Sequence, residues 1–351
     1  MDTREIVINP NDIDYSLANE AGKILRNGGL VAFPTETVYG LGANALDETA
    51  VGSIFKAKGR PNDNPLIVHV ASTDDVSLLV ESIPLKAKKV MEAFWPGPIS
   101  IIMKKSNKIG NAVSAGLDTV AIRMPSHPVA RAIIAASGVP VAAPSANTSS
   151  RPSPTDAKHV REDMQGKIDM IVDGGSCSVG VESTVLDLSG DVATILRPGG
   201  ISAAMLYPII GDVVCPEKPV LDDKTPRCPG MKYKHYAPKA SVYVLEYKKC
   251  FDDERLCALV EEYHKDGTRV GVLSCENVGN KHKADVYIYG GYTSKEYATR
   301  LFYSLRSFDE QGADVILCPM AFCDDMALAI KNRLYKAAGN NILNFEKGTD
   351  E

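Results

Sequence analysis

The stretch from Met205 to Pro238 is the strongest constraint on how this chain can fold. Regular apolar periodicity ends there, and prolines stand at 208, 216, 219, 226, 229 and 238. Proline fixes φ and removes a backbone donor, so no long helix or central strand is expected to run through it. The chain should fold as two bodies on either side, and 351 residues suffice for two domains with separate cores. The expected division is a first domain at 1–207, a linker at 208–239 and a second domain at 240–351.

Before the break, apolar residues Leu17, Ala18, Ala21, Ile24 and Leu25 recur at helical spacing, and Asn27-Gly28-Gly29 supplies a helix stop. Strands are predicted at 30–33, 66–70, 99–103, 119–123, 139–143, 170–173, 183–188 and 194–197. Helices are predicted between them at 50–58, 73–80, 84–94, 128–137 and 157–165. Short runs with glycine or proline at most strand ends describe a mixed, twisted α/β sheet. After the break, strands ASVYVLEY, RVGVLSCE, ADVYIYG and ADVILCPM alternate with helices at 252–264, 295–309 and 327–338. That alternation predicts a parallel sheet covered on both faces.

Several function classes are excluded or disfavoured. The N-terminus lacks an apolar signal core, and no run of about 18 uncharged apolar residues could span a membrane, so a cytoplasmic protein is expected. The eight cysteines include no C-x-x-C pair, which indicates neither a zinc site nor a disulfide framework. A net charge of -5 argues against a dedicated nucleic-acid binder, though not against a local basic cleft. There is no G-x-x-x-x-G-K-[ST] phosphate loop, no dinucleotide fingerprint, no H-E-x-x-H and no G-x-S-x-G.

Four polar clusters interrupt the apolar runs of the first domain: FPTETVYGLG, KAKGRPNDNPLIVHV, TVAIRMPSHP together with VAAPSANTSSRPSPT, and ESTVLDL with ILRPGG. Each follows a predicted strand or joins a strand to a helix, where α/β sheets place ligand loops. Lys58, Arg60, Arg123 and Arg197 bring fixed positive charge; Thr35, Thr37, Ser145, Asn147, Ser183 and Thr184 bring short hydrogen-bonding groups. Cations with hydroxyls suit phosphates and carboxylates, because arginine binds oxyanions through two parallel bonds. A single such residue is ordinary surface or turn chemistry; recurrence at strand ends points to a cleft for a polyanionic small ligand.

Taken together, PTETVYGLG, KGRP, PSAN with SSRPSPT, ESTVLDL and ILRPG resemble the YrdC-like threonylcarbamoyl-AMP synthases in order and spacing. PGMKYKHYAP resembles the segment joining that domain to the C-terminal domain of the longer, two-domain members. The resemblance implies a YrdC-like twisted mixed sheet with helices, followed by a smaller Rossmann-like α/β/α domain with a mainly parallel sheet. It also implies that L-threonine, bicarbonate and ATP condense to threonylcarbamoyl-AMP and pyrophosphate, for threonylcarbamoyladenosine modification of tRNA. On that resemblance Lys58, Arg60, Ser145 and Asn147 are catalytic and contact ATP, joined by Arg197 and more weakly by Asn64, Thr119 and Ser153. Threonine falls to Thr37, His69, Arg123, the backbone of Ala143, and Ser183. From residues alone, His69 in LIVHV reads more readily as a core histidine than as a ligand. Mg2+ is expected to arrive with ATP, since no carboxylate cluster presents itself as a cage. The expected downstream partner is the threonylcarbamoyl-transferase machinery; direct tRNA contact is left open.

Two other readings compete: a non-catalytic double-stranded RNA-binding module, and a carbamoyltransferase of hydrogenase maturation. The second would add an acylphosphatase-like domain and zinc fingers, which this sequence lacks. Between Lys224 and Leu245 there are five Lys or Arg and no acid. Together with Met231, Tyr233 and Tyr236, side chains that usually cover a surface, this charge predicts that the linker is a lid over the cleft, with Tyr233 nearest the nucleotide.

Overall fold

The computed structural model describes residues 2–215, 226–228, 235–247, 251–277, 279–320, 322, 324–339 and 341–346. They divide into two compact units. The first holds the described residues up to Ser149 and from Ser153 to Cys228; the second holds Ser150–Pro152 and those from His235 onward.

In chain order the first unit contains β1 (Arg4–Val7), α1 (Tyr15–Arg26), β2 (Val31–Phe33), β3 (Gly40–Asn44), α2 (Glu48–Lys58), β4 (Ile67–His69), a 3-10 turn (Thr73–Leu78), α3 (Leu85–Phe94), β5 (Ile99–Lys104), α4 (Asn111–Ser114), β6 (Thr119–Arg123), α5 (Pro128–Ser137), β7 (Val141–Ala142), α6 (Ala157–Met164), β8 (Met170–Asp173), β9 (Thr184–Asp187), β10 (Thr194–Arg197) and α7 (Ala203–Ile210). Its strands form one mixed sheet in the order β1-β8-β2-β3-β7-β4-β6-β5-β9-β10.

Local chemistry sets the helix ends. The Asp14 and Asp47 side chains accept the first free N–H groups of α1 and α2, and Gly59 closes α2 at φ 59, a left-handed conformation that glycine takes at least cost. α7 departs from the predicted loss of periodicity after Met205. Ser202 caps it and it runs through Pro208 to Ile210, crossing the expected domain edge at 207. So short a helix tolerates the one backbone donor that proline removes.

Strand alternation sorts the two faces of the sheet. One face carries Ala32, Leu41, Val68, Ile101, Ile122 and Leu186 against α2, α3, α6 and α7. On the other, α1 and α5 cover Val31, Phe33, Val141, Ala143 and Met170. Further along this second face, Ile67, Ile102, Ala121 and Val185 pack against Leu196 and Cys228. Cys228 is fully buried, and its neighbour Arg227 pairs with Asp187 at 2.7 Å. Within the connecting segment, Arg227 and Cys228 thus lie back on the first unit's sheet.

The second unit contains β11 (Ser241–Glu246), α8 (Asp253–Lys265), β12 (Val270–Ser274), β13 (Val286–Tyr289), α9 (Ser294–Glu310), β14 (Val315–Met320), α10 (Asp325–Ala338) and β15 (Ile342–Asn344). Every pairing in its sheet, ordered β13-β12-β14-β11-β15, is parallel. The central strand VILCPM is buried throughout, as a strand covered on both faces must be. Within this unit Arg306, 1% exposed, donates to the Pro152 carbonyl from Nε at 3.1 Å and Nη2 at 2.6 Å. Tyr236 is buried here against Phe302, their ring centroids 5.1 Å apart.

Candidate active site

The polar residues collect on the second face of the first unit's sheet. His69 and Arg123 end the parallel strands β4 and β6 in register, on the same face as Ile67 and Ala121. Ser183, just before β9, shares a 2.8 Å hydroxyl contact with Ser100 of β5. Arg197 reaches this face through a β-bulge: Ile195 pairs with Leu186, but Arg197 pairs with Val185, so the extra residue Leu196 turns the arginine over. Arg197 then donates to the Ser183 carbonyl and to its Oγ, both at 3.1 Å. Gly199 holds the next turn so close that a Cβ there would stand 2.3 Å from the Thr184 nitrogen.

Arg123 is the centre of the arrangement, and it is 4% exposed. Its Nη1 donates to Thr37 Oγ1 at 2.9 Å, its Nε reaches the Gly97 carbonyl at 3.4 Å, and its Nη2 pairs with Glu36 Oε1 at 2.7 Å. Thr37 is itself fixed by Thr35, whose hydroxyl lies 2.9 Å away and donates to the Val38 carbonyl at 2.6 Å.

His69 is 3% exposed, and its Nδ1 has no hydrogen-bond partner among the described residues. Burial, with Arg123 as the second cause, pushes its pKa down to about 3, so the imidazole is neutral at physiological pH. His127 is likewise held below the usual histidine value by burial, against the opposing pull of Glu36. Burial raises the Cys177 thiol, which makes it a poor nucleophile.

A second group surrounds the PSAN loop. Lys58, at the last turn of α2, donates to the carbonyl of Ser145, and at 2.5 Å to that of Asn147. Ser145 Oγ donates to Asn147 Oδ1 at 2.5 Å, while Gly40 of β3 bridges to Ser145. Lys58 therefore holds the loop's backbone. Ser153 donates to Glu182 at 2.5 Å, one residue before Ser183, which ties this loop to the segment that Arg197 bonds. Arg60 Nη2 turns back to the Asn64 carbonyl at 3.4 Å, and the buried Asn64 Oδ1 has no partner among the described residues.

Of the remaining expected residues, Ala143 spends its N–H on the Ile67 carbonyl at 3.0 Å. Thr119 sits at the far end of β6 from Arg123, paired with Lys104, roughly 13 Å along the strand at its normal rise. Tyr233 lies outside the described residues. Among the members not singled out from sequence are Glu36 and Ser100. Glu36 had a signal: it is the one charge inside FPTETVYGLG. Ser100, between apolar neighbours in β5, had none. Among the described residues no group of three His, Cys, Asp or Glu side chains is disposed to hold a metal.

Residues 23–199 match the telomere recombination family model that covers Sua5, YciO and YrdC, and 201–339 match the model of the threonylcarbamoyl-AMP synthase C-terminal domain. The threonylcarbamoyl-AMP synthase of Pyrococcus abyssi is 46% identical over 324 residues, 92% of this chain and 94% of that one. The chain belongs to the threonylcarbamoyl-AMP synthase family. It is an enzyme of nucleotidyl-transfer type that forms threonylcarbamoyl-AMP, and the RNA-binding and hydrogenase-maturation readings fall away. The Bacillus subtilis synthase is also 46% identical, over 92% of this chain and 93% of its own length. Among solved structures, P. abyssi Sua5 complexed with L-threonine matches with a TM-score of 0.91 at 44% identity, covering 97% of this chain and 99% of that one. No helix among the described residues is long and apolar enough to cross a membrane.

Proposed function

We propose that the face around Arg123 gathers L-threonine, ATP and bicarbonate and joins them in two steps. The observation that carries the reading is the buried guanidinium of Arg123, braced by Thr37 and Glu36. A guanidinium has five N–H donors. Nε and Nη1 each spend an N–H, on Gly97 and Thr37, while Nη2 meets Glu36 as an ion pair and has no hydrogen-bond partner among the described residues, so an N–H remains on both terminal nitrogens for the two-bond fork a carboxylate takes.

Arg123 would hold the threonine carboxylate, with Thr37, neutral His69, Ser183 and the Ala143 carbonyl around it. Once the ammonium has given a proton to water, the amine attacks the carbon of bicarbonate; water leaves and N-carboxy-threonine forms. A carboxylate oxygen of that carbamate attacks the α-phosphorus of ATP, the bond to the bridging oxygen breaks, and pyrophosphate departs. Lys58, Arg60, Ser145, Asn147, Ser153 and Arg197 surround the nucleotide in this reading, with Asn64 beside them and Thr119 at the margin. They work by position and charge: a fixed cationic cradle holds the reacting groups in line and steadies charge at the α-phosphate. Mg2+ comes in on the ATP phosphates.

The connecting segment is read as a lid that keeps water from the carbamate and the mixed anhydride. The seating of Cys228 on the sheet face supports that reading, whereas residues 229–234, Tyr233 included, lie outside the described residues. The product passes to a threonylcarbamoyl-transferase acting on adenosine in tRNA, in the cytoplasm. The test is pyrophosphate release measured with threonine and bicarbonate each present or omitted. Release that ignores threonine would overturn the reading.

A further inference from the structure

The ion pair behind Arg123 is built more firmly than anchoring one side chain requires. Glu36 and Arg123 are 7% and 5% exposed at their side chains, with Nη2 2.7 Å from Oε1. The other carboxylate oxygen of Glu36 accepts the Ser126 backbone N–H at 3.1 Å, and the backbone carbonyl of Glu36 accepts that of Val179 at 2.7 Å. Glu36 is therefore held at its backbone carbonyl and at Oε2, while Oε1 meets Arg123 by charge alone.

We propose that Glu36 is a positioning and specificity residue: it fixes the guanidinium of Arg123 in the plane that receives the substrate carboxylate, and it cancels that cation's charge. The inference rests on the threonine pocket assigned above. Two consequences follow from electrostatics. With Nη1 bonded to Thr37 and Nη2 drawn to the Glu36 carboxylate as an ion pair, Arg123 presents its remaining N–H groups to a ligand without searching for a rotamer. An uncompensated buried arginine on this face would draw in any anion, phosphates included. The neutral pair Glu36–Arg123 instead favours a zwitterion, whose carboxylate meets the arginine while its ammonium tolerates the nearby glutamate. Glu36 thereby reserves this position for an amino acid in a cleft that must also hold a triphosphate.

The experiment compares wild type, Glu36→Gln, Arg123→Ala and the double variant. It measures kcat/KM for threonine at saturating ATP, KM for ATP at saturating threonine, and inhibition by inorganic phosphate. Glutamine keeps the shape and an acceptor for Ser126 while losing the charge. For Glu36→Gln, kcat/KM for threonine should fall at least tenfold, KM for ATP should stay within twofold, and phosphate should become competitive with threonine. Added to Arg123→Ala, the same change should cost less than twofold, because Glu36 acts through Arg123. Wild-type threonine kinetics in Glu36→Gln, equal losses for both substrates, or losses that multiply in the double variant would each overturn the inference. If Arg123→Ala itself leaves threonine kinetics unchanged, the fault lies with the pocket assignment and this inference falls with it.

Discussion

His69 should make the first unit acid-sensitive in a way that can be sized from its surroundings. Its pKa drops from 6.5 to about 3, chiefly through burial and secondly through Arg123, its register partner on β6. In the unfolded chain the imidazole titrates at its ordinary value; in the fold it stays neutral until the pH approaches 3. The stability this difference contributes is therefore complete above pH 6.5 and is lost as the pH falls toward 3. Between pH 7 and pH 4 the unfolded state gains most of a proton that the folded state refuses, which costs about 3 kcal/mol at about 1.4 kcal/mol per pH unit. Carboxylates contribute to acid loss as well, so the useful quantity is the difference between wild type and His69→Gln. The assay is urea unfolding at pH 7 and pH 4 followed by Trp95, the single tryptophan, buried in the first unit, so that its fluorescence reports that unit alone. Wild type should lose about 3 kcal/mol more than the variant across this range. Equal losses would refute the claim that His69 is held neutral by burial.

Three further outcomes are expected. Gly199→Ala puts a Cβ 2.3 Å from the Thr184 nitrogen and 2.7 Å from the Glu182 carbonyl oxygen, both backbone atoms, so it should cost about 2–3 kcal/mol and disturb Ser183 and Arg197; urea unfolding and threonine-dependent turnover check both. Lys58→Met removes the ammonium from the Ser145 and Asn147 carbonyls, and should raise KM for ATP at least tenfold while KM for threonine changes far less, as read by initial rates. Cys228→Asp sets a charge among Ile67, Ile102, Ala121 and Val185, which should free the connecting segment from the sheet; faster cleavage by trypsin near Arg227 with Trp95 fluorescence unchanged would report it.

Much of the site was legible because its residues sit where short-range signals place them. Arg123 and His69 end strands that read as strands, and Lys58 precedes a glycine helix stop; their roles are what the resemblance implies. Elements missed were those whose character depends on neighbours. β3 is GLGAN, with no alternation of large apolar groups; it is a strand because β2 and β7 flank it, and Gly42 is required because a Cβ would lie 2.6 Å from Phe33 and 2.9 Å from Val141. β1 and β15 are short and sit at sheet edges, where few residues carry the pattern. Glu36 was visible as a charge but not as a partner, since its loop and Arg123 meet only when distant strands pair; Thr37 and Arg123 are 86 residues apart.

What this sequence determined by itself is periodicity, caps and breaks: which segments coil or extend, that the chain forms two bodies, and which loops gather cations and hydroxyls. Those properties follow from backbone dihedral preferences and side-chain spacing within a few residues. Only the tertiary structure decided which strand ends adjoin, that a bulge at Leu196 turns Arg197 toward Ser183, and that Glu36 closes on Arg123. Pairing between remote segments depends on the packing of the whole sheet, and a buried charge finds its counter-charge only once that packing has excluded water.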